Sequence, residues 1–277
     1  MTFRPFLSFL PALVVPVLLG AAPALAGVPL ANYRSVHDLT LASGAELAEV
    51  GSIKARLVTE FTGSRCTGYT TKMRFVTRST GGEAGTRTDD LRSVLFETTD
   101  GFYEFTHETY SEDGLADVSA GTAERTDDGV TVALSEPEEK SFDLAAGTAF
   151  PTEQVVWVLE AAIAGKRFVA FDIYDGTEGG EVVYGTSSVI GKGSTDADDL
   201  GVETSVAEAG FAAQRHWPVT ISYFQQPAGT AMTPDYTMSL VVYENGVSRD
   251  LKLDYGTFAL AGKLTQLEML PAPPCAE

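Results

Sequence analysis

Cysteine, histidine and basic side chains are scarce in this chain of 277 residues. It has two Cys, three His and 19 Lys and Arg residues against 38 Asp and Glu residues, so its net charge at pH 7 is −19. A surface this acidic repels nucleic acid and anionic lipid head groups. We therefore expect no nucleic-acid partner and interpret the charge as a solvated, solubilising surface, with a specific basic partner as the sharper alternative.

The short motifs that carry chemistry are also missing. His37, His107 and His216 are not spaced as a metal-binding or catalytic pair, and no C-x-x-C, Gly-rich phosphate loop or G-x-S-x-G elbow is present. Residues 196–208 come near a calcium-binding loop, but Ala207 stands where the bidentate glutamate is required. We expect a protein that is not an enzyme and that has neither a metal nor another cofactor.

Long apolar runs are absent after the first 26 residues. Met1–Ala26 contains a basic start at Arg4, an apolar run over residues 10–19 and a small-x-small site ending at Ala26. The run is too short and too rich in proline for a comfortable membrane span. This pattern predicts a signal peptide cleaved after Ala26 and an exported, periplasmic protein that is not integral to the membrane. A retained N-terminal anchor is the alternative.

Export favours a disulfide between the two cysteines, because disulfides persist in oxidising compartments such as the periplasm. Cys66 and Cys275 allow one intramolecular pairing, which would close a loop of about 210 residues. The proline-rich segment 271–274 cannot join a central strand and is suited to run along the surface. Two free thiols and an intermolecular bridge remain the alternatives.

Apolar and polar residues alternate along much of the chain, as in an antiparallel sheet with one dry and one wet face. Asp100-Gly101, Asp128-Gly129 and Asn245-Gly246 lie between such runs and are typical of hairpin turns. The pattern predicts strands over residues 33–41, 53–62, 69–78, 219–223, 236–242 and 251–255.

One segment departs from this alternation. Pro151–Gly165 predicts a helix of about three turns, with Thr152 as the N-terminal cap and Gly165 as the stop signal. Its predicted apolar stripe consists of Val155, Leu159, Ala162 and Ile163.

The helix falls near the middle of the chain and predicts a joint between two β halves, residues 27–145 and residues 146–277, the second beginning with the helix. A second, weaker helical segment is expected between Leu200 and Gln214.

Several stretches, in the same order over nearly the whole mature chain, resemble one family. They are FTGSRCTGY at 61–69 with RFVT at 74–77, DLTL at 38–41, ETTDG at 97–101, FDL at 142–144 with FPT at 150–152, WPVTISYF at 217–224 and LEMLP at 267–271. They resemble the EipB-like family of bacterial cell-envelope integrity proteins. The opening strand departs from that family, because Tyr33-Arg34 and His37 stand where it carries a His-Arg pair and a Tyr.

The resemblance implies a mainly β protein, built as an open, spiral-like antiparallel β-barrel with a few short helices. It implies a monomer whose N- and C-terminal parts are joined by a disulfide, here Cys66 to Cys275. The implied function is support of cell-envelope integrity as a scaffold or interaction factor, without enzymatic activity. The periplasmic or envelope partner is not identified by the sequence.

The alternative function is a carrier or binding module for an acyl chain, a lipoprotein or an envelope glycan, because an open β-barrel offers a concave apolar groove. The candidate groove-lining residues are Trp157, Tyr223, Phe224 and Tyr236, for which core packing is the competing interpretation. A hydrolase is a third hypothesis, which a polar cleft with two convergent carboxylates or a Ser-His pair would support.

Overall fold

The computed structural model describes residues 27–42, 51–81, 85–196, 203–211, 213–226 and 233–275. The predicted signal segment 1–26 and residues 197–202 of the calcium-like segment 196–208 lie outside these residues. The described residues form β1 Asn32–Leu41, β2 Ser52–Ser64, β3 Gly68–Thr80, β4 Thr86–Glu97, β5 Phe102–Ser111, β6 Gly114–Arg125, β7 Val130–Glu136, β8 Lys140–Leu144, α1 Pro151–Ile163, β9 Phe168–Ile173, β10 Tyr184–Ile190, α2 Thr204–Glu208, β11 His216–Gln225, β12 Tyr236–Tyr243, β13 Ser248–Asp254 and β14 Ala259–Leu270.

Within the described residues, all fourteen strands belong to one antiparallel sheet. Its order is β8-β7-β6-β5-β4-β3-β2-β1-β14-β13-β12-β11-β10-β9, so neighbours in sequence are neighbours in the sheet except where β1 pairs with β14. The sheet is not closed, because β8 and β9 stand at its two ends. This confirms the predicted class, a mainly β, open, barrel-like antiparallel architecture.

The two ends of the sheet still approach each other beside α1. The Ala149 N–H donates to the Asp172 carbonyl at 2.8 Å, and the Tyr174 N–H donates to the Ala149 carbonyl at 2.9 Å. The connection after β8 is therefore hydrogen-bonded to the end of β9. The boundary near residue 145 falls in this connection, and the division into two domains stays a prediction.

The alternation of side chains in β1 follows the sequence pattern. Ser35, His37 and Leu39 are buried, whereas Arg34 and Thr40 are exposed. The six predicted strands are all present, because a period of two leaves one face to be buried against the interior. The predicted turns also join consecutive strands, β4 to β5, β6 to β7 and β12 to β13.

The start of α1 differs from its prediction. Phe150 is the N-cap, and its N–H donates to the Glu153 carboxylate at 3.0 Å. Thr152 lies inside the first turn and donates its own N–H to Glu97 Oε1 at 2.7 Å. The prediction of Thr152 as the N-cap is therefore wrong. Phe150 holds that position, and the Glu153 carboxylate accepts the backbone N–H of Phe150. Gly165, with φ +74°, follows the last turn as predicted.

The buried face of α1 is also rotated from its prediction. Leu159 and Ala162 are buried as expected, but Val155 and Ile163 are 37% and 43% exposed. The reason is that the helix lies against the inner face of the sheet, so Gln154 and Val158 also face inwards. The largest core cluster packs this face against β9 to β12 through Ile173, Tyr184, Ile190, Trp217, Val219, Ile221, Tyr223 and Val242.

The second predicted helical segment is present as the short α2, within the part of 200–214 that the structure describes. The Ser205 hydroxyl donates to the Leu264 carbonyl of β14 at 2.7 Å. Val206 packs with Tyr243 and Leu264 in a separate core cluster. This contact fixes α2 to the sheet near the junction of β14 and β1.

Candidate functional site

Cys66 and Cys275 form a disulfide, with their Cα atoms 5.5 Å apart. Cys66 lies in the turn between β2 and β3, and Cys275 lies in the tail after β14. Because β1 pairs with both β2 and β14, the bond spans this strand at the junction between the two β halves. The bond does not lie at an open edge of the sheet, because the edge strands among the described residues are β8 and β9.

Three cavities adjoin α1. The head cavity, of about 180 Å³, lies beside the first turns of the helix and is lined by Arg65, Glu97, Thr98, Thr99, Glu153, Trp157 and Glu160, among others. The apolar groove, of about 750 Å³, lies between the C-terminal half of α1 and β9. A third cavity, of about 170 Å³, is lined by Val155, Tyr33, Phe61 and Leu95 on another flank.

The head cavity and the apolar groove are continuous. Both are lined by Trp157 and Glu160 of α1 and by Gly27 and Val28 of the segment that precedes β1. Together they form one concave surface, here named the α1 groove, that is polar at the N-terminal end of the helix and apolar at the other end.

Trp157 is the one residue of the four candidate aromatics that lines these cavities. It is half-buried and makes an edge-to-face contact with Phe171 of β9, with the ring centroids 5.0 Å apart. This pair closes the floor of the α1 groove at the point where the head cavity meets the apolar groove.

Tyr223 and Tyr236 instead fill the interior beside the buried face of α1. Their rings stack at 4.3 Å, and Tyr184 meets both rings edge-on. The Tyr223 hydroxyl donates to Gln154 Oε1 at 3.2 Å, and burial raises the pKa of both stacked phenols. For these two residues the structure shows core packing.

Phe224 follows Tyr223 in β11 and therefore points to the opposite face of the sheet. It is half-buried and stands opposite Gly185 of β10. The structure thus separates Phe224 from the stacked tyrosines and from Trp157.

Glu97 is the site residue that the sequence reasoning missed. It ends β4, is 3% exposed, and accepts the Thr152 N–H through Oε1 at 2.7 Å. Its Oε2 is buried and has no hydrogen-bond partner within the described residues. Burial raises the pKa of Glu97 to about 7, although its hydrogen bond with Thr152 opposes the rise. The only sequence signal was its place at the start of the ETTDG stretch.

Two other buried polar side chains, His107 and Arg249, are hydrogen-bonded to structural partners. His107 lies between the Ser93 hydroxyl and the Asp175 carbonyl, each at 2.8 Å, and burial lowers its pKa. Arg249 is fully buried and donates to the Tyr243 hydroxyl at 3.1 Å and to Glu203 at 3.3 Å. These contacts join strands to the loops and helices that cross the interior.

The described part of the chain lacks two kinds of feature, a metal-binding cluster and a membrane-spanning helix. It contains no group of three or more His, Cys, Asp or Glu side chains placed to hold a metal ion. Neither α1 nor α2, the helices within that part, has the length and apolar composition needed to cross a membrane.

Comparison with known proteins gives a consistent result. A family model described as EipB-like matches residues 24–271. The chain belongs to the EipB-like family. Among its relatives, the EipB-like protein named cell envelope integrity protein EipB, from Brucella abortus (strain 2308), is 37% identical over 251 residues, which are 90% of this chain and 88% of that protein.

A solved structure of this EipB-like group has the same fold. The crystal structure of a β-barrel-like protein of a domain of unknown function from Brucella abortus matches with a TM-score of 0.80 and 36% identity. The match covers 88% of this chain and all of that one. The open β-barrel predicted from the resemblance is therefore confirmed for this chain.

Proposed function

We propose that this EipB-like protein supports cell-envelope integrity from the periplasm as a non-enzymatic scaffold or interaction factor. The observation that carries the proposal is membership of the family together with the relative named for envelope integrity. Secretion is supported by the signal-like segment 1–26 and by the disulfide, which is a bond typical of oxidising compartments.

The buried polar side chains His107 and Arg249 favour a structural role over a catalytic one. His107 and Arg249, two of its most polar side chains, are hydrogen-bonded to groups that hold the sheet together. A catalytic acid or base needs access to a substrate, and these groups are buried. Glu97 Oε2 has no hydrogen-bond partner among the described residues, so it can accept a hydrogen bond from a ligand.

Deletion of the gene tests this function. Cells without the protein should be more sensitive to β-lactams and detergents, and expression of the full chain from a plasmid should restore resistance. A deletion strain that matches the wild type under all these stresses would contradict the proposal.

A second candidate function is favoured by the α1 groove, which is a continuous concave surface with an apolar end. In this function the protein is a carrier or binding module for an acyl chain, a lipoprotein or a glycan of the envelope. Native mass spectrometry of protein purified from its own cells should show a bound molecule that is lost on denaturation. A spectrum of unliganded protein alone would count against it.

A further inference from the structure

A buried carboxylate at the polar end of the α1 groove has an unused acceptor. Glu97 lines the head cavity, and its Oε2 has no hydrogen-bond partner among the described residues. A buried acceptor without a hydrogen-bond partner destabilises the folded protein. A ligand that places a hydrogen-bond donor in the head cavity would remove that destabilisation. Glu97 therefore points to a ligand with a donor group.

The charges around the head cavity favour a cationic donor. Glu97, Glu153 and Glu160 line it together with Arg65. Glu153 is already paired with Arg125 at 2.6 Å, and even with that guanidinium counted the carboxyl groups outnumber the basic groups. Trp157 adds an indole ring to the same cavity, and aromatic faces attract cations.

The other end of the α1 groove suits an apolar chain. It continues from Trp157 along α1 and β9, where its walls include Ala161, Ile163, Val169 and Phe171, with Lys166 as the one basic side chain among the residues that line it. Its volume of about 750 Å³ is roughly four times that of the head cavity. A molecule that fills both parts has a small polar head and a longer hydrocarbon tail.

We propose that the α1 groove binds a single-chain amphiphile with a primary ammonium head. The ammonium donates to Glu97 Oε2 beside Glu160 and Trp157, and the hydrocarbon chain lies between α1 and β9. This inference rests on the carrier function given above as the second candidate and names its ligand class.

Calorimetric titration of the full chain with three probes at pH 8, above the raised pKa of about 7 for Glu97, tests the assignment. The probes are n-decylammonium and decanoate, each below its micelle concentration, and n-decanol below its solubility limit. Decylammonium should bind at least about tenfold more tightly than decanol, because a hydrogen bond to a charged group is worth about 1.5–3 kcal/mol. Decanoate should bind most weakly, because its carboxylate has no proton to donate to Glu97 and carries the same charge.

Three variants locate the head group. Glu97→Gln should weaken decylammonium binding about tenfold or more and leave decanol binding within about twofold, because the amide keeps the shape but not the charge. Glu160→Gln, at an exposed position, should weaken decylammonium binding severalfold without affecting the fold. Glu104→Gln, exposed on β5 away from the groove, is the matched control and should change neither affinity.

The outcomes separate this inference from the function on which it rests. Equal affinity for decylammonium and decanol, unchanged in Glu97→Gln and Glu160→Gln, would overturn the ammonium assignment and leave the carrier function standing. Absence of binding by all three probes would overturn both. Loss of decylammonium binding alone in Glu160→Gln would support the assignment even if Glu97→Gln failed to fold.

Discussion

Glu97 is the residue whose ionisation should be visible in the stability of the fold. Burial raises its pKa in the folded protein to about 7, above the usual value of 4.5. Between these two values the folded protein holds a proton that the unfolded chain has released, so stability falls as pH rises from about 4.5 to about 7. Above that range the penalty is constant, and below it the penalty disappears.

Glu97→Gln removes this penalty while the amide oxygen can still accept the Thr152 N–H. We expect the variant to be more stable than the wild type by about 1–3 kcal/mol at pH 8 and equal to it near pH 4. Urea unfolding at the two pH values measures this difference. The Glu104→Gln control should follow the wild type at both values, and a Glu97→Gln variant that did so too would contradict the raised pKa.

The buried ion pair of Arg249 and Glu203 leads to a second prediction about single residues. The Arg249 side chain is fully buried and the Glu203 side chain is 8% exposed. Arg249→Ala should cost about 3–5 kcal/mol of unfolding free energy, because it leaves the glutamate buried without its partner. Arg87→Ala removes one side of the exposed ion pair with Asp89 and should cost about 1 kcal/mol or less. Similar losses in the two variants would contradict this.

The helix α1 connects the core to the groove, and its two flanks should respond differently to truncation. Leu159 is fully buried against β9 to β12, whereas Val155 is 37% exposed beside a cavity. Leu159→Ala should cost about 2–5 kcal/mol, because it leaves a space in a packed core. Val155→Ala should cost less than about 1 kcal/mol, and thermal unfolding of both variants checks the order. A larger loss of stability in Val155→Ala than in Leu159→Ala would contradict the observed burial of α1, because it would show Val155 on the more deeply buried face.

Local sequence signals predicted the elements better than they predicted the orientation of α1. Strands such as β1 follow a period of two that is set by the chain itself, and Gly165 ends the helix through its own conformational freedom. Which side of α1 is buried depends on how the sheet surrounds it, so Gln154 is buried and Ile163 is exposed. Glu97 could not be found for the same reason, because its burial is created by a helix 55 residues later in the chain.

The disulfide acts at the scale of the whole molecule, where the first and last strands meet. Cys66→Ser, Cys275→Ser and the double variant should each lose about 2–5 kcal/mol of unfolding free energy. The two single losses should not add in the double variant, because each change removes the same bond. A reductant should lower the stability of the wild type and leave the double variant unchanged. Two reactive thiols in the oxidised, denatured wild type would show that the bond is not formed.

The arrangement of the sheet explains why the bond lies at this place. Among the described strands, those of the two halves pair with each other only at β1 and β14, and the Cys66–Cys275 bond spans that junction. The open ends β8 and β9 are held instead by the backbone bonds of Ala149. The sequence showed which cysteines could pair, but the place of the bond in the sheet depends on long-range strand order.

The proposed function requires that the chain is exported and then supports cell-envelope integrity. The most direct measurement is survival of a deletion strain under a β-lactam and a detergent, with the full chain or a chain lacking residues 2–26 expressed at equal levels. We expect the full chain to restore survival, whereas the shortened chain, retained in the cytoplasm, should not. Equal rescue by both chains, or rescue by neither, would contradict this expectation.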